Sequence, residues 1–406
     1  MFDFDKEIDR TNTMSLKWDK YKGQDVLPMW VADMDFVSPP VVLDALTRRV
    51  AHGVFGYSRP SPRLIALIVE RMQARYGWTI QPEWLVFLPG VVPGLNLACR
   101  AWTTPGRGVL TPSPVYYPFL QAPGFNERPL LTVPMREEQG RWALDMEELE
   151  RQAPGADLLL LCNPHNPGGT IFTRDELSAI DAIAERHNLV VCSDEIHCDL
   201  LLDPQARHLP YGALNEGAAQ RSAVMMAPSK TFNIAGLCCA FAVVPNERLR
   251  FKLQQAMRGI SADINLLGFV AAEAAYEGGE AWLNGLLDYL RGNLALIEEA
   301  VARWPGVTLA RHQATYLAWL DVSGLDLEHP IPFFEQAGSA CRRVPSLVTA
   351  ASFVSTSVVL APPCARHWIG WSGLSWLADA TLRAGLFRAQ ARVTFKLPRF
   401  IRPLSK

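Results

Sequence analysis

The chain has 406 residues, 49% of them hydrophobic and 20% charged. That ordinary globular composition excludes a disordered chain, a collagen-like repeat and a disulfide scaffold. A net charge of −2 offers no overall electrostatic footprint for nucleic acid or an anionic membrane. No apolar run reaches the roughly 18 residues that span a bilayer. The eight cysteines contain no C-x-x-C pair, and MFDFDKEIDRTNTMSLKWDK at the start has no apolar h-region. The expectation is a cytoplasmic chain with reduced thiols.

In chain order, apolar runs bounded by Pro, Gly, Asn or Asp predict strands at WLVFLP (84–89), GVLTP (108–112), LLTVP (130–134), DLLLLCN (157–163), LVVCSD (189–194), AVMMAP (223–228) and CCAFAVVP (238–245). RDELSAIDAIAERHN (174–188) has helical periodicity, with Thr173 and Glu176 at capping-box spacing. A long helical stretch covers 266–303, and ATYLAWLDV (314–322) reads as a strand of a second, smaller unit. Near-continuous apolar strands alternating with helices predict an α/β fold: a mostly parallel sheet covered by helices, plus a smaller α+β domain.

Three short motifs fall just after successive predicted strands: CNPHNPGG (162–169), SDEIH (193–197) and APSKTFN (227–233). Functional groups in open α/β sheets gather outside the carboxyl ends of the strands. An amide, a carboxylate and a lysine are therefore brought together. That trio suits pyridoxal phosphate: a lysine for the Schiff base, a carboxylate to keep the pyridine nitrogen protonated, and a neutral donor for the phenolic oxygen.

Residues 1–338 resemble the fold-type I pyridoxal-phosphate enzymes, the aspartate-aminotransferase superfamily. They are most similar to its cystathionine β-lyase, or carbon–sulfur lyase, subfamily. The blocks that carry the resemblance are LPMWVADMDF (27–36), HGVFGYS (52–58), SDEIHCDL (193–200), SKTFNIAGL (229–237) and ATYLAWLD (314–321). The resemblance implies Lys230 as Schiff-base lysine and proton shuttle, and Asp194 as partner of the pyridinium nitrogen. It implies Asn166 at the phenolic oxygen with His197 close by, and Tyr116 stacked on the ring, though its neighbour Tyr117 competes for that place. Val91 and Val92 would offer backbone N–H groups to the phosphate at a helix N-terminus, Ser229 a hydroxyl, and Tyr57 a contact with the phosphate of the neighbouring subunit of a homodimer. Ala227 and the turn LPGVVPG (88–94) depart from the family's phosphate-binding pattern. The implied division is 1–46 as an arm and part of the small domain, 47–285 as the large cofactor domain, 286–338 as the small domain, and 339–406 as an aberrant tail.

That tail holds ten Lys/Arg against one acid, a balance of +9, whereas residues 1–338 hold 29 basic and 40 acidic residues, a balance of −11. The family continues after FFEQAG (333–338) with a motif close to RLNFGCPR, whose first arginine grips the substrate carboxylate in bidentate fashion. Here SFVSTSVVLAPPCARHWIGW (352–371) stands instead. Codons built from the third base of each codon and the first two of the next permit RLNFGCPR from the Phe353–Val354 junction, followed by PTLREALDRM. The reading is a frameshift near Ser339, with loss of a strand and a helix from the small domain. The implied activity is α,β-elimination of L-cystathionine or a related cysteine S-conjugate to a thiol, pyruvate and ammonia. The alternatives are a class I/II aminotransferase, which uses the same Lys, Asp and Asn, and a catalytically impaired cofactor-binding or regulatory homologue.

Overall fold

Strands form where aliphatic and β-branched runs end at turn residues, throughout the residues that the computed structural model describes: 2–327, 329–336, 338–340, 342–343 and 352–356. In chain order they are β1 (Leu27–Pro28), β2 (Leu85–Leu88), β3 (Gly108–Ser113), β4 (Leu130–Glu138), β5 (Arg141–Leu144), β6 (Ala156–Cys162) and β7 (Val190–Asp194). They continue with β8 (Ser222–Met226), β9 (Ala240–Val243), β10 (Thr308–Leu309), β11 (Leu317–Asp321), β12 (Ser339–Ala340), β13 (Arg342–Arg343) and β14 (Ser352–Thr356). Each strand expected in 84–245 is present. Within 84–245 β5 is the one strand among the described residues that was not anticipated. It is short, and it turns back on β4 through Gln139 and Gly140, both at positive φ, a hairpin turn that the dipeptide Gln-Gly signals weakly.

The large sheet has the order β2-β9-β8-β7-β6-β3-β4-β5, with β9 and β5 antiparallel to their neighbours and the remainder parallel. Its inner strands β3, β6, β7, β8 and β9 are buried on both faces, which is why they read as unbroken apolar runs. In β6, Leu158, Leu160 and Cys162 pack with Leu95 and Ala98 of the helix Val91–Trp102, while Leu159 and Leu161 pack with Ile180 and Leu177 of the helix Arg174–Arg186. Each such side chain stabilises the sheet by about 1.5–3 kcal/mol relative to exposure. The four adjacent parallel strands β8, β7, β6 and β3 all finish at one edge. Their ends, Met226, Asp194, Cys162 and Ser113, lie just before or within the three motifs and the Tyr116 segment.

The helical stretch expected over 266–303 is present and is divided at Gly279 into two helices, Leu266–Gly278 and Glu280–Val301. The break has a packing cause. A Cβ at Gly279 would lie 2.5 Å from the Ala275 carbonyl and 2.6 Å from the Phe232 ring, so the chain bends where no side chain fits. The second helix packs Trp282, Leu286 and Leu290 against Phe4, Phe36 and β11. The smaller sheet runs β10-β11-β14-β13, and β1 pairs in parallel with β12. Here the expected loss of a strand after Gly338 is corrected: β14 pairs antiparallel with β11 over five residues. A ladder is made by backbone groups, and Ser-Phe-Val-Ser-Thr is a good strand former whatever its side chains replace. The remainder of the tail, with the helix expected to be lost, lies outside the described residues. Among the described residues no helix is long and apolar enough to cross a membrane.

The capping box is present. Thr173 Oγ1 accepts from Glu176 N at 3.2 Å, and Glu176 Oε2 accepts from Thr173 N at 2.7 Å. Glu176 also pairs with Arg141 at 2.6 Å. Thr173→Ala is expected to lower stability by about 1 kcal/mol. Glu176→Ala should cost more, because it also strands Arg141. Shifts in the urea midpoint check the order.

Candidate active site

Lys230 sits in the single helical turn Pro228–Thr231 that follows β8 directly. Asn233 ends that turn at φ +54, a conformation that asparagine tolerates better than most residues. Its side chain then grips the segment 32–36. Asn233 Oδ1 accepts from Met34 N at 3.0 Å, and Nδ2 donates to the Met34 and Phe36 carbonyls at 3.0 and 2.8 Å. The same segment supplies the partner of the lysine: Lys230 Nζ donates to the Ala32 carbonyl at 2.6 Å. Tyr316 Oη donates to that carbonyl as well, at 2.9 Å. Two anchors in the N-terminal region hold the segment from the other side. Arg10 pairs with Asp33 and Asp35, both at 2.7 Å, and buried Lys17 pairs with Asp35 at 2.6 Å.

The electrostatics follow from burial. Desolvation pushes the Lys230 amine down to about 8, against the pull of Asp33 and Asp194. Desolvation pushes the Asp194 carboxyl up to about 7. The Glu195 charge adds to that, while the Ile196 amide, donating at 3.0 Å, and Lys230 oppose it. His197 falls to about 3, through burial first and then the nearby charges of Lys230 and His312. It is a neutral imidazole, edge-on to the Tyr316 ring at 5.8 Å, and its Nδ1 is buried without a partner. Asp33 Oδ1 is buried without a partner too.

Lys230, Asp194, His197 and Tyr316 are thus electrostatic or ring neighbours. Asn166 and Tyr116 are joined by the Tyr116 N–H, which donates to the Asn166 carbonyl at 3.0 Å. Asn166 is tied to the end of β6 through its amide and Cys162 Sγ, and the neighbouring Asn163 N–H donates to the Asp194 carbonyl. Tyr116 is half-buried against the core, with the Tyr117 ring edge-on at 5.1 Å. Val91 and Val92 open the helix Val91–Trp102, whose N-cap Gly90 supplies no side-chain cap, so their amides lack a helical partner. Ser229 adjoins Lys230 in the same turn. Tyr57 is fully exposed, on a segment outside helices and strands beside exposed Val54 and Phe55, and is not brought to the other site residues within the chain.

A family model described as "Aminotransferase class I and II" matches residues 24–353. The chain belongs to this family. Within it, the chain is 40% identical to the cystathionine beta-lyase PatB of Bacillus subtilis over 80% of its own length and 86% of that protein. It superposes on the crystal structure of OvoB with a TM-score of 0.86 and 43% identity, covering 97% of this chain and 100% of that one. The PLP-bound C-S lyase from Staphylococcus hominis gives a TM-score of 0.83 at 29% identity, covering 94% and 98%.

Residue-by-residue reading of the family motifs missed Ala32, Asp33, Asn233 and Tyr316. All four lie inside blocks that mark the family, LPMWVADMDF, SKTFNIAGL and ATYLAWLD. Their signal was the clustering of polar residues in otherwise apolar blocks. Ala32 lies 198 and 284 residues from Lys230 and Tyr316, and Asn233 lies 199 residues from Met34, separations that cannot be read from spacing.

The lysine environment is testable in cofactor-free protein. The rate at which an amine reagent modifies Lys230, followed by peptide mass spectrometry, should reach half its maximum near pH 8. Asp194 is largely ionised there and favours the ammonium form, so Asp194→Asn should move the midpoint to lower pH. An unchanged or higher midpoint would contradict the coupling.

Proposed function

We propose that the chain acts as a pyridoxal-phosphate-dependent carbon–sulfur β-lyase, converting L-cystathionine or a related cysteine S-conjugate and water to a thiol, pyruvate and ammonia. The choice of reaction is carried by the likeness to the cystathionine beta-lyase PatB and to the PLP-bound C-S lyase, and the cofactor chemistry by an enclosed lysine, held at the Ala32 carbonyl, beside a buried carboxylate and a buried histidine. The residues fit the cofactor. Asp194 is a raised, buried carboxyl suited to a ring N–H, and His197 Nδ1 is an orphaned buried nitrogen suited to a polar cofactor atom. In this reading Lys230 tethers the group, and Asn166 and His197 lie at its phenolic oxygen. Tyr116 covers the ring, and the amides of Val91 and Val92 with the Ser229 hydroxyl hold the phosphate.

When bound, pyridoxal phosphate supplies the sink for the electron pair left at the substrate Cα. Asp194 keeps the ring nitrogen protonated. Once the substrate amine has replaced it on the cofactor, the freed Lys230 amine would be placed to take the Cα proton, and its depressed basicity would keep a useful fraction neutral near physiological pH. The Ala32 carbonyl and Tyr316 orient that amine. The thiolate departs from Cβ.

The same reading makes the exposed apolar surface at Val50, Val54, Phe55 and Tyr57 the face covered by a second copy, with Tyr57 reaching the phosphate of the neighbouring site. Residues 47–285 form the cofactor domain, with 1–46 and 286–338 the smaller one, in a cytoplasmic homodimer. For the tail, the backbone register places Phe353 opposite Leu320 and Val354 opposite Trp319. The shifted frame permits an arginine at that junction, so in this reading the strand is kept while the carboxylate grip is lost. Restoring the frame should raise kcat/KM by about 30-fold or more, the equivalent of a bidentate charged contact worth about 2–5 kcal/mol.

Incubation of the purified chain with pyridoxal phosphate and L-cystathionine, without a keto acid, should release pyruvate. Lys230→Ala should reduce the rate by about 10³-fold. Turnover that requires a keto acid would instead support an aminotransferase. Cofactor absorbance without turnover, even after frame restoration, would support an impaired cofactor-binding homologue.

A further inference from the structure

Glu195 follows Asp194 directly, and the roles above leave it unused. Its amide donates to the Met225 carbonyl at 2.8 Å, tying it to the end of β8. Its side chain is 0% exposed. Three donors converge on the carboxylate: His208 Nε2 at 2.6 Å on Oε2, and Ser193 Oγ at 2.8 Å with the Tyr211 amide at 2.9 Å on Oε1. His208 is equally enclosed. Its Nδ1 is buried without a partner, and its ring lies edge-on to Tyr76 at 5.6 Å.

The other charges of this layer compensate one another. Asp199 pairs with Arg71 at 2.7 Å and Arg75 at 3.4 Å, and accepts from Thr231 and Tyr76. The Cys198 thiol is pushed well up by burial and stays protonated. Among the described residues Glu195 has no Arg or Lys within salt-bridge distance, and its ring partner His208 has no acceptor at Nδ1, which fits a neutral ring donating through Nε2. A fixed anion there opposes any state in which the neighbouring Asp194 site gains further negative charge. The raised Asp194 carboxyl carries that signature, after desolvation.

We propose that Glu195 is a positioning residue for Asp194: its buried carboxylate, locked by His208, Ser193 and the Tyr211 amide, supplies a negative field that retains the proton shared by Asp194 and the cofactor ring nitrogen. The proposal rests on the reading of Asp194 given above. With Asp194 ionised and the ring nitrogen protonated, that pair is neutral. Loss of the ring proton leaves a net negative charge, which the Glu195 anion disfavours. Removing the anion therefore makes the ring proton easier to lose.

The test uses holoenzyme reconstituted with pyridoxal phosphate carrying ¹⁵N in the ring, its chemical shift followed across pH. In Glu195→Gln, which keeps the size and the acceptor oxygen, the deprotonation midpoint should fall by about 1 unit relative to wild type. Glu195→Asp disturbs the packing but keeps the charge, and should hold the wild-type midpoint. Equal shifts in both variants would mean a role in loop geometry and would overturn the proposal. No shift in Glu195→Gln, alongside a large one in Asp194→Asn, would overturn it as well. No shift in Asp194→Asn would instead remove the reading of Asp194 itself. Should Glu195→Gln fail to fold, the double variant Glu195→Leu/His208→Phe carries the same expectation, since apolar replacement of a buried pair is often tolerated.

Discussion

Everything at this site depends on taking charged groups out of water at one edge of a parallel sheet. A lone buried ion is costly, so burial either shifts its protonation or demands a partner. Both outcomes occur within a few residues. Lys17, Asp35 and Arg10 are paired with one another, and their role is to hold the chain. Lys230, Asp194 and His197 lack full compensation and are displaced towards neutrality. The difference between structural and chemical groups is thus a difference in how completely each charge is answered.

The parallel sheet makes this economical. Because β3, β6, β7 and β8 are neighbours pointing the same way, residues far apart in sequence arrive at one edge without long loops. The buried cysteines show what the same burial does without chemistry. Cys162 and Cys192 sit at or near those strand ends, and their thiols are pushed well above the ordinary range, so they behave as small apolar fillers.

Much of this was legible in the sequence. The strands announced themselves because two-sided burial demands unbroken apolar runs, and Lys230, Asp194 and Asn166 followed from their positions just after such runs. Less legible were features set by distant packing. The break at Gly279 depends on Phe232 and the Ala275 carbonyl, and β5 depends on a turn with weak chemistry. The fate of β14 was misjudged for a different reason. The expectation concerned an arginine side chain, whereas the strand is a backbone object, and the β-prone segment Ser352–Thr356 makes its ladder. The charge imbalance between 1–338 and the tail marked the departure but could not say which layer of structure it affects.

The carbonyl of Ala32 carries a last consequence. It is the common acceptor for Lys230 and Tyr316, yet it belongs to the main chain of a residue whose side chain is a single methyl group. Side-chain scanning would pass over it, since the position is already alanine. The constraint is one of path: whatever occupies position 32 must let the backbone between Arg10's two carboxylate partners and Asn233 run on the same track. Variation there is limited by shape and not by functional group, and an essential acceptor can persist while leaving no chemical signature in the residue that bears it.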